Sequence, residues 1–189
     1  MRLWTDHGIF NHGGLDRGTE VLLEAIVSDC SDFTSKKHVL DFCAGTGIVA
    51  LLLATKYPNW DFCCVEINER AHQLLLKNAE LNRLRLVKTA CQDGLSAWPN
   101  QQFDLIALNP PIRSGKANVH RLIEEAYQAL DQEGSLYIVF GKKQGAESYG
   151  RYLAERWPTQ RLLRQRGFDV FCVRRNSSAD EVMGEIDRC

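Results

Sequence analysis

The sequence lacks an excess of charge of either sign. Its 23 Lys and Arg residues nearly balance 24 Asp and Glu residues, giving a net charge of -1. A surface that is basic throughout is therefore excluded, and any nucleic acid would have to bind a local cluster of cations. Long apolar runs are missing as well, since none approaches the roughly 20 residues that span a bilayer. The N-terminus has no apolar signal-peptide core. We therefore expect a cytoplasmic protein without a membrane partner.

Metal-binding and disulfide patterns are also missing. The seven cysteines are odd in number, form no C-x-x-C pair and mostly lie in apolar runs, which favours reduced core residues. The five histidines show no ligand spacing, so we expect no metal. Repeats and low-complexity segments are absent. With 189 residues, of which 44% are hydrophobic, we expect one globular domain over residues 1–175 and a polar C-terminal tail over 176–189.

The chain does contain an alternation of short apolar strands and amphipathic helices, which predicts an α/β fold with a parallel sheet and helices on both faces. Two strands near the end are joined by only two residues and must therefore pair antiparallel. The strand at 84–90 alternates only partly in polarity and is expected near an edge. Strands are predicted at 38–42, 62–65, 84–90, 103–108, 136–140, 161–165 and 168–173, with helices from residue 16 and at 47–57, 68–81, 117–130 and 145–157.

The carboxyl ends of parallel strands form one rim, where ligands of such sheets bind. The loop after the first strand contains Gly45 and Gly47, which allow close backbone approach, and the helix N-terminus after them attracts a negative group. Residues 45–50 also fit the dinucleotide fingerprint G-x-G-x-x-A, and Glu66 lies about 20 residues further on, as a ribose-binding carboxylate would. A nicotinamide-dependent dehydrogenase is therefore one interpretation, and an ordinary tight turn is another.

Asp41, at the end of the first strand, separates two nucleotide ligands by charge. It would repel the pyrophosphate of a dinucleotide, whereas S-adenosylmethionine has no phosphate and carries a sulfonium, an ammonium and one carboxylate. Asp41 would favour the cationic end, and the loop amides would bind the carboxylate. Glu66 would accept from the ribose hydroxyls and Asp93 from the adenine amino group. Ile67 and Leu95 would form apolar walls. Solvated loop carboxylates remain the alternative for Glu66 and Asp93.

A tetrad, Asn109-Pro110-Pro111-Ile112, follows the apolar strand at 103–108. The two prolines end the strand and leave two acceptors, Asn109 Oδ1 and the Pro110 carbonyl oxygen. Such a pair would accept both hydrogens of a ring amine and align its lone pair with a sulfonium methyl group. Transfer would then be an in-line displacement that depends on positioning and needs no strong base. A turn in which the asparagine satisfies its own backbone is the alternative.

Together, the acid, the G-T-G loop and the N-P-P tetrad resemble class I S-adenosylmethionine-dependent methyltransferases. The chain is most similar to the methyltransferase small domain family, which includes ribosomal RNA guanine-N2 methyltransferases, and to its single-domain branch. The resemblance covers nearly everything before residue 176. Three further stretches carry it: Thr5-Asp6-His7-Gly8-Ile9-Phe10 with Leu15-Asp16-Arg17-Gly18-Thr19, then Ile112-Arg113-Ser114-Gly115-Lys116 as the continuation of the tetrad, and Lys142-Lys143-Gln144-Gly145-Ala146.

The resemblance implies a Rossmann-like sheet of seven mostly parallel strands with an antiparallel last strand, and S-adenosylmethionine as cofactor. Asn109, Pro110, Pro111 and Ile112 are expected at the reacting amine. Cofactor-binding residues are expected to be Asp41, Cys43, Ala44, Gly45, Thr46, Gly47, Glu66, Ile67, Gln92, Asp93, Asn109 and Thr19. Cys43 stands where the family usually has glycine. Many N-P-P methyltransferases have an aromatic residue for base stacking where this chain has Ile112.

Cations follow two of the rim strands and would contact RNA phosphates, although a solvated basic face is equally compatible with the sequence. They are Arg113, Lys116, His120 and Arg121 after the tetrad, and Lys142, Lys143 and Arg151 after the next strand. The leading prediction is an N-methyltransferase acting on the exocyclic amine of guanine in ribosomal RNA. A protein glutamine N-methyltransferase and a non-catalytic cofactor-binding module are alternatives. The dehydrogenase is disfavoured by Asp41 and by the closing hairpin.

Overall fold

The computed structural model describes residue 4 and residues 15–30, 35–84, 86–96 and 98–175. The predicted tail at 176–189 and the stretch at 5–10 that carries part of the resemblance lie outside these residues. The elements in chain order are α1 (Arg17–Asp29), β1 (His38–Phe42), α2 (Ile48–Lys56), β2 (Asp61–Glu66), α3 (Glu69–Leu81), β3 (Leu86–Cys91), β4 (Phe103–Leu108), α4 (Lys116–Gln128), β5 (Leu130–Gly141), α5 (Ala146–Ala154), β6 (Thr159–Gln165) and β7 (Phe168–Arg174).

Seven strands form one sheet in the order β3-β2-β1-β4-β5-β7-β6. Strands β1 to β5 pair in parallel, and β7 runs antiparallel to both of its neighbours, β5 and β6. Residues Arg166 and Gly167 form the β6–β7 turn with φ of 52° and 83°, and positive φ at both positions suits a tight hairpin. The predicted fold class is confirmed, including the hairpin and the edge position of β3.

Helices cover both faces of the sheet because alternate strand residues point to opposite sides. On one side, Val39, Leu105 and Val139 pack with α1, α2 and α3. On the other side, Leu40 and Ile106 pack with α4 and α5. The longest helices of the described residues have 13 residues, and none combines the length and apolarity needed to cross a bilayer.

The prediction was wrong at the α4–β5 boundary. The sequence pattern extended α4 to residue 130 and began β5 at 136, because residues 131–134 are polar and end in glycine. In the structure α4 ends at Gln128, and Leu130 is the first residue of β5, where it pairs with Phe103 of β4. Pairing with a neighbouring strand has overridden the local pattern. Similarly, α5 ends at Ala154 rather than at residue 157.

Candidate active site

The loop after β1 has two glycines that serve different purposes. Gly45 has φ of 56°, and a Cβ placed on it would meet no atom of the described residues within 4 Å, so this residue borders open space among them. Gly47 has φ of 78°, and a Cβ there would lie 2.9 Å from Leu75 Cγ of α3. Gly45 therefore leaves room for a ligand, whereas Gly47 allows α3 to pack against the loop.

Cys43 occupies the position where the family resemblance leads us to expect glycine. Its φ is 62°, a left-handed conformation that costs a residue with a side chain about 1–2 kcal/mol. The side chain packs against the core on the α4 and α5 side. Burial, more than the nearby negative charge of Glu66, raises the pKa of the Cys43 thiol well above its usual range. Cys43 is therefore a neutral thiol that packs against the core, and its predicted contact with the cofactor remains a prediction.

Asp41 is buried and its Oδ2 accepts a hydrogen bond from the Ala50 amide at 3.1 Å. Helix α2 has Gly47 as its N-cap, which offers no side-chain acceptor, so Asp41 satisfies one of the unpaired first-turn amides from the neighbouring strand. Burial first, and then the charge of Glu66, raises the pKa of Asp41 to about 7. Its repulsion of a pyrophosphate at neutral pH is therefore weaker than the sequence alone indicates.

Glu66 joins the glycine loop to the loop after β2. Its Oε2 accepts from the Gly45 amide at 2.7 Å, and its Oε1 accepts from the Asn68 amide at 2.8 Å. The residue is only 8% exposed. Because each carboxylate oxygen has two lone-pair sites, one acceptor site remains on each oxygen. The expected bonds to two ribose hydroxyls are compatible with this arrangement and remain a prediction.

The loop after β3 is organised by an arginine that the sequence analysis placed among the phosphate contacts. Arg121 donates to Asp93 Oδ1 at 2.6 Å and to Glu125 Oε1 at 2.5 Å, and the bond to Asp93 is the main reason that its pKa is raised. Arg121 is thus used inside the protein and is not a free cation. Asp93 keeps its second oxygen, and its side chain is 59% exposed.

Three other residues that were predicted to line the cofactor site lie near this loop, and they differ in how exposed their side chains are. Gln92 donates through Nε2 to the Gly94 carbonyl oxygen at 2.7 Å, which orders the loop itself. Of the two predicted adenine walls, Ile67 is 63% exposed whereas Leu95 is buried. Ile67 therefore presents an apolar side chain to solvent, as an uncovered ligand wall would. The roles of these side chains toward a cofactor remain predictions.

His120 does not belong with the phosphate contacts either. Its ring stacks on Tyr152 with centroids 3.7 Å apart, and its Nε2 is buried with no hydrogen-bond partner among the described residues. Burial, followed by the positive charge of Lys116, lowers the pKa of His120. The imidazole is therefore neutral at physiological pH and packs as an aromatic ring. The sequence grouping of His120 with the cations was wrong.

The tetrad is tied to the start of α1. Asn109 Nδ2 donates to Asp16 Oδ2 at 3.3 Å and to Thr19 Oγ1 at 3.1 Å. An ionised carboxylate only accepts hydrogen bonds, so the amide nitrogen must face α1 and Oδ1 is left for another donor. None of the hydrogen bonds among the described residues uses Asn109 Oδ1 or the Pro110 carbonyl oxygen. The two acceptors inferred from the sequence are therefore both available.

The rest of the tetrad and the cations follow around the rim. Pro110 is buried, Pro111 is exposed, and Ile112 is half-buried against the core. Ile112 starts a short 3-10 turn, Ile112–Ser114, and a second such turn, Lys142–Gln144, follows β5. Four cations proposed as substrate contacts lie on these turns or beside them, and all four are exposed: Arg113, Lys116, Lys142 and Lys143.

Two contributors were missed or underestimated by sequence reasoning. Asp16 is the α1 N-cap, since its side chain accepts from the Thr19 amide, but its bond to Asn109 spans 93 positions and has no local signal. Asn78 is fully buried and donates to the carbonyl oxygens of Thr46 and Trp4, both at 3.1 Å. An asparagine on the apolar face of α3 was the available signal. Through this bond to Thr46, Asn78 connects α3 to the glycine loop.

The donor and acceptor set of this rim fits S-adenosylmethionine. Gly45 borders open space, and Glu66 and Asp93 have spare acceptor sites for hydroxyl and amino donors. The loop at 41–47 contains no cationic side chain that would neutralise a pyrophosphate. These features favour a ligand with cationic groups over a dinucleotide.

Comparisons with known proteins agree with this geometry. Residues 1–172 match the family model for the methyltransferase small domain. The uncharacterized protein YbxB of Bacillus subtilis is 34% identical over 145 residues, covering 76% of this chain and 70% of that protein. Ribosomal RNA small subunit methyltransferase C of Pseudoalteromonas translucida is 34% identical over 136 residues, covering 70% of this chain and 38% of that protein.

A solved structure is similar over most of the described fold. It is the Thermus thermophilus 16S rRNA N2 G1207 methyltransferase in complex with AdoMet and guanosine, with a TM-score of 0.79 and 25% identity, covering 89% of this chain and 46% of that one. The chain therefore spans less than half the length of the two ribosomal RNA methyltransferases. The extent of the family match shows that the chain belongs to the methyltransferase small domain family of S-adenosylmethionine-dependent methyltransferases.

Proposed function

We propose that this chain transfers a methyl group from S-adenosylmethionine to the exocyclic amine of guanine in ribosomal RNA. The observation that carries the proposal is the fixed orientation of Asn109. Its Nδ2 is bound by Asp16 and Thr19, so Oδ1 and the Pro110 carbonyl oxygen form a pair of acceptors at the end of β4. The ribosomal RNA methyltransferases named above, one of them solved with guanosine, support guanine as the target.

The two acceptors of the tetrad account for the chemistry without a general base. They bind both hydrogens of the amine, direct its lone pair and stabilise the positive charge that develops on nitrogen. The bound cofactor supplies an electrophilic methyl group on a sulfonium. As the amine gains positive charge its proton becomes acidic and is lost to water. Asp41 and Glu66 would hold the cofactor on the β1–β3 side of the rim. The predicted binding of its carboxylate by the loop amides is restricted, because the amides of Ala44, Gly45 and Gly47 already donate within the protein.

A protein glutamine amide is the second candidate substrate, and one observation favours it. Ile112 is half-buried against the core and offers no aromatic surface for base stacking. A primary amide also presents two hydrogens, so the same acceptors fit it. Incubation with methyl-labelled S-adenosylmethionine and either purified ribosomal RNA or RNA-free protein extract separates the two. We expect label in the RNA. Label found in protein alone would show that the substrate is a protein amide and not guanine.

Asn109→Ala tests the role of the tetrad. The variant should bind S-adenosylmethionine with unchanged affinity in calorimetry, while methyl transfer falls by about 10²–10³-fold, as when one fixed dipole is removed from a reaction centre. Asn100→Ala is the matched control, because Asn100 is exposed and precedes the amino end of β4. Transfer at the wild-type rate by Asn109→Ala would reject the proposed role.

A further inference from the structure

Positive charge is concentrated at the C-terminal end of the described fold. Residues 142–175 contain nine Lys and Arg residues but only three Asp and Glu residues, although the net charge of the whole chain is -1. This segment comprises α5, β6, β7 and the turn before α5. The near-neutral net charge of the chain thus includes a basic segment. Which part of this segment carries exposed positive charge depends on the acidic residues around it.

The side of this region that faces α1 is neutralised. Arg166 pairs with Glu20 at 3.1 Å and Glu24 at 3.2 Å, and Arg174 pairs with Asp29 at 3.0 Å. All three acids belong to α1. The excess of positive charge therefore lies on the opposite side, where α5 and β6 meet.

Two arginines of β6 are fixed there by a buried acid. Asp169 is fully buried, accepts a hydrogen bond from Arg164 at 2.8 Å and forms an ion pair with Arg161 at 3.5 Å. The Arg164 guanidinium holds the pKa of Asp169 below its usual value, so the carboxylate stays ionised. Glu147 contacts the same arginines from the solvent side. Their side chains remain 34% and 43% exposed, and each guanidinium has five N–H donors, so donors are left facing solvent.

Beside these arginines lies a groove of about 320 Å³ between α5 and the β6–β7 hairpin. Arg151 of α5 and Arg161 of β6 line it together with Glu147, and the buried ring of Phe171 forms part of its floor. Arg161 lies over that ring at 5.2 Å. Lys143 and Arg151 are exposed and take part in none of the salt bridges among the described residues. Because Glu147 and Asp169 balance the charges of Arg161 and Arg164, Lys143 and Arg151 supply the net positive charge of this surface.

The helix that lines the groove starts at the same rim as the tetrad. The Lys142–Gln144 turn directly follows β5, next to β4 and its tetrad, and leads into α5. The Lys142 amide donates to the Gly167 carbonyl oxygen at 2.8 Å, which joins this turn to the β6–β7 hairpin at the rim. Arg151 is five residues beyond Ala146, hence about 7.5 Å further along the helix axis. A chain leaving the tetrad can therefore follow cations away from the rim.

We propose that this α5–β6 groove, which Arg151 and Arg161 line and to which Lys143 and Arg164 are close in the chain, binds the phosphodiester backbone of RNA beside the target nucleotide. The inference rests on the proposed function, which requires RNA at the rim. Guanidinium groups match phosphate oxygens bidentately. The groove has no open apolar pocket of the kind that anchors a protein partner, since Phe171 is buried and covered by Arg161. Backbone contacts of this type position RNA without reading its sequence.

Charge reversal at exposed positions tests the groove. Arg151→Glu and Lys143→Glu are compared with Lys77→Glu, an exposed position on α3 at the other side of the sheet. The probe is a fluorescein-labelled single-stranded RNA of about 16 nucleotides, the upper end of the site sizes known for single-stranded nucleic acids in basic grooves. Each groove variant should raise Kd about tenfold and lower the slope of log Kd against log salt by about one. The control should match the wild type.

Three readouts make the result decisive. Equal RNA affinity of Arg151→Glu and Lys77→Glu would overturn the inference. The inference would also be overturned if Arg151→Glu bound RNA as the wild type does but no longer bound a poly-glutamate peptide that the wild type binds. That result would favour an acidic protein partner. Labelled methyl transfer is measured in parallel. If RNA is methylated but the groove variants bind it as the wild type does, the proposed function holds and the groove inference fails. If the groove variants lose RNA binding but only protein is methylated, the RNA substrate is refuted and the groove inference holds.

Discussion

At the scale of single residues, Asn109 is an acceptor because α1 engages its amide nitrogen. Asp16 and Thr19 both take hydrogen bonds from Nδ2, and without them the side chain could rotate by half a turn and present donors to a substrate amine. An amine also donates, so that orientation would be repulsive. In the proposed reaction, the first turn of α1 would therefore act by positioning Asn109.

Thr19→Val tests this positioning with a nearly isosteric change. It removes the acceptor at 3.1 Å from Asn109 Nδ2, so we expect kcat for methyl transfer to fall about five- to tenfold, the equivalent of roughly one hydrogen bond. Thr55→Val is the control, because within the described part of the chain Thr55 Oγ1 has one hydrogen bond, to the Leu51 carbonyl oxygen of its own helix α2. Weaker S-adenosylmethionine binding with unchanged kcat would instead place Thr19 at the cofactor.

Asp41 gives the protein a predictable dependence of stability on pH. Burial raises the pKa of Asp41 from 3.8 to about 7, so between these values the folded state binds more protons than the unfolded state. The contribution of Asp41 to the free energy of unfolding is therefore largest below about pH 4. It falls as the pH rises to 7, by up to about 1.4 kcal/mol per pH unit.

Asp41→Asn should abolish this dependence, because asparagine stays neutral and its oxygen can still accept from the Ala50 amide. In urea denaturation, the variant should gain stability relative to the wild type at pH 8 compared with pH 5. Asp131→Asn, at an exposed residue, provides the comparison for a surface carboxylate. A parallel pH response of the wild type and Asp41→Asn would show that Asp41 is ionised in the folded protein throughout.

The residue types at the site could be inferred from the sequence, but their partners could not. The tetrad is legible because prolines end a strand at a fixed place. Its contact with α1 bridges 93 positions, and Arg121 is paired with Asp93 across 28 positions. Such contacts depend on how whole elements are arranged. Arg121 was therefore grouped with the free cations by proximity in sequence alone.

At the scale of elements, α3 supports the glycine loop. Leu75 fills the space beside Gly47, and Asn78 donates to the Thr46 carbonyl oxygen one turn later. The two side chains are three positions apart and share one face of the helix. The shape of the glycine loop is therefore determined partly by α3, a helix in which no cofactor-binding residue is predicted.

Alanine at Gly45 and Gly47 should separate ligand space from packing space. Both residues have left-handed φ, so each substitution costs about 1–2 kcal/mol of stability. At Gly47 the new methyl group also meets Leu75, which should cost about 1–3 kcal/mol more. Gly45→Ala should instead weaken S-adenosylmethionine binding, since its methyl group enters open space. Denaturation and calorimetry on both variants give the comparison, and equal losses of stability would contradict the assigned role of Gly47.

Element boundaries were predicted best where a strand is apolar throughout. Strands β1 and β4 have the predicted bounds, because each is buried and ends at a glycine loop or at proline. The start of β5 was missed, since residues 131–134 are polar and exposed for the most part. Their strand geometry comes from pairing with β4, which the local sequence does not encode.

At the scale of the whole molecule, charge is divided along the rim. Asp41 and Glu66 lie at the carboxyl ends of β1 and β2, and Asp93 follows β3, whereas exposed cations follow β4 and β5. The strand order places β1 beside β4, so the two halves meet at Asp41 and Asn109. A cationic cofactor on one half and a polyanionic substrate on the other would each find complementary charge. Composition alone could not reveal this division, because the charges cancel in the total.

The division predicts which ligands stabilise the fold and which variants lose that effect. S-adenosylmethionine at about 100 times its Kd should add about 2.7 kcal/mol to the free energy of unfolding and raise Tm by roughly 5–10 °C for a protein of this size. Asn109→Ala should keep the full shift, whereas Gly45→Ala should lose most of it. NAD, tested at the same concentration, should give no shift. A Tm that rises equally with NAD, or not at all with S-adenosylmethionine, would contradict the assignment of the β1–β3 half to this cofactor.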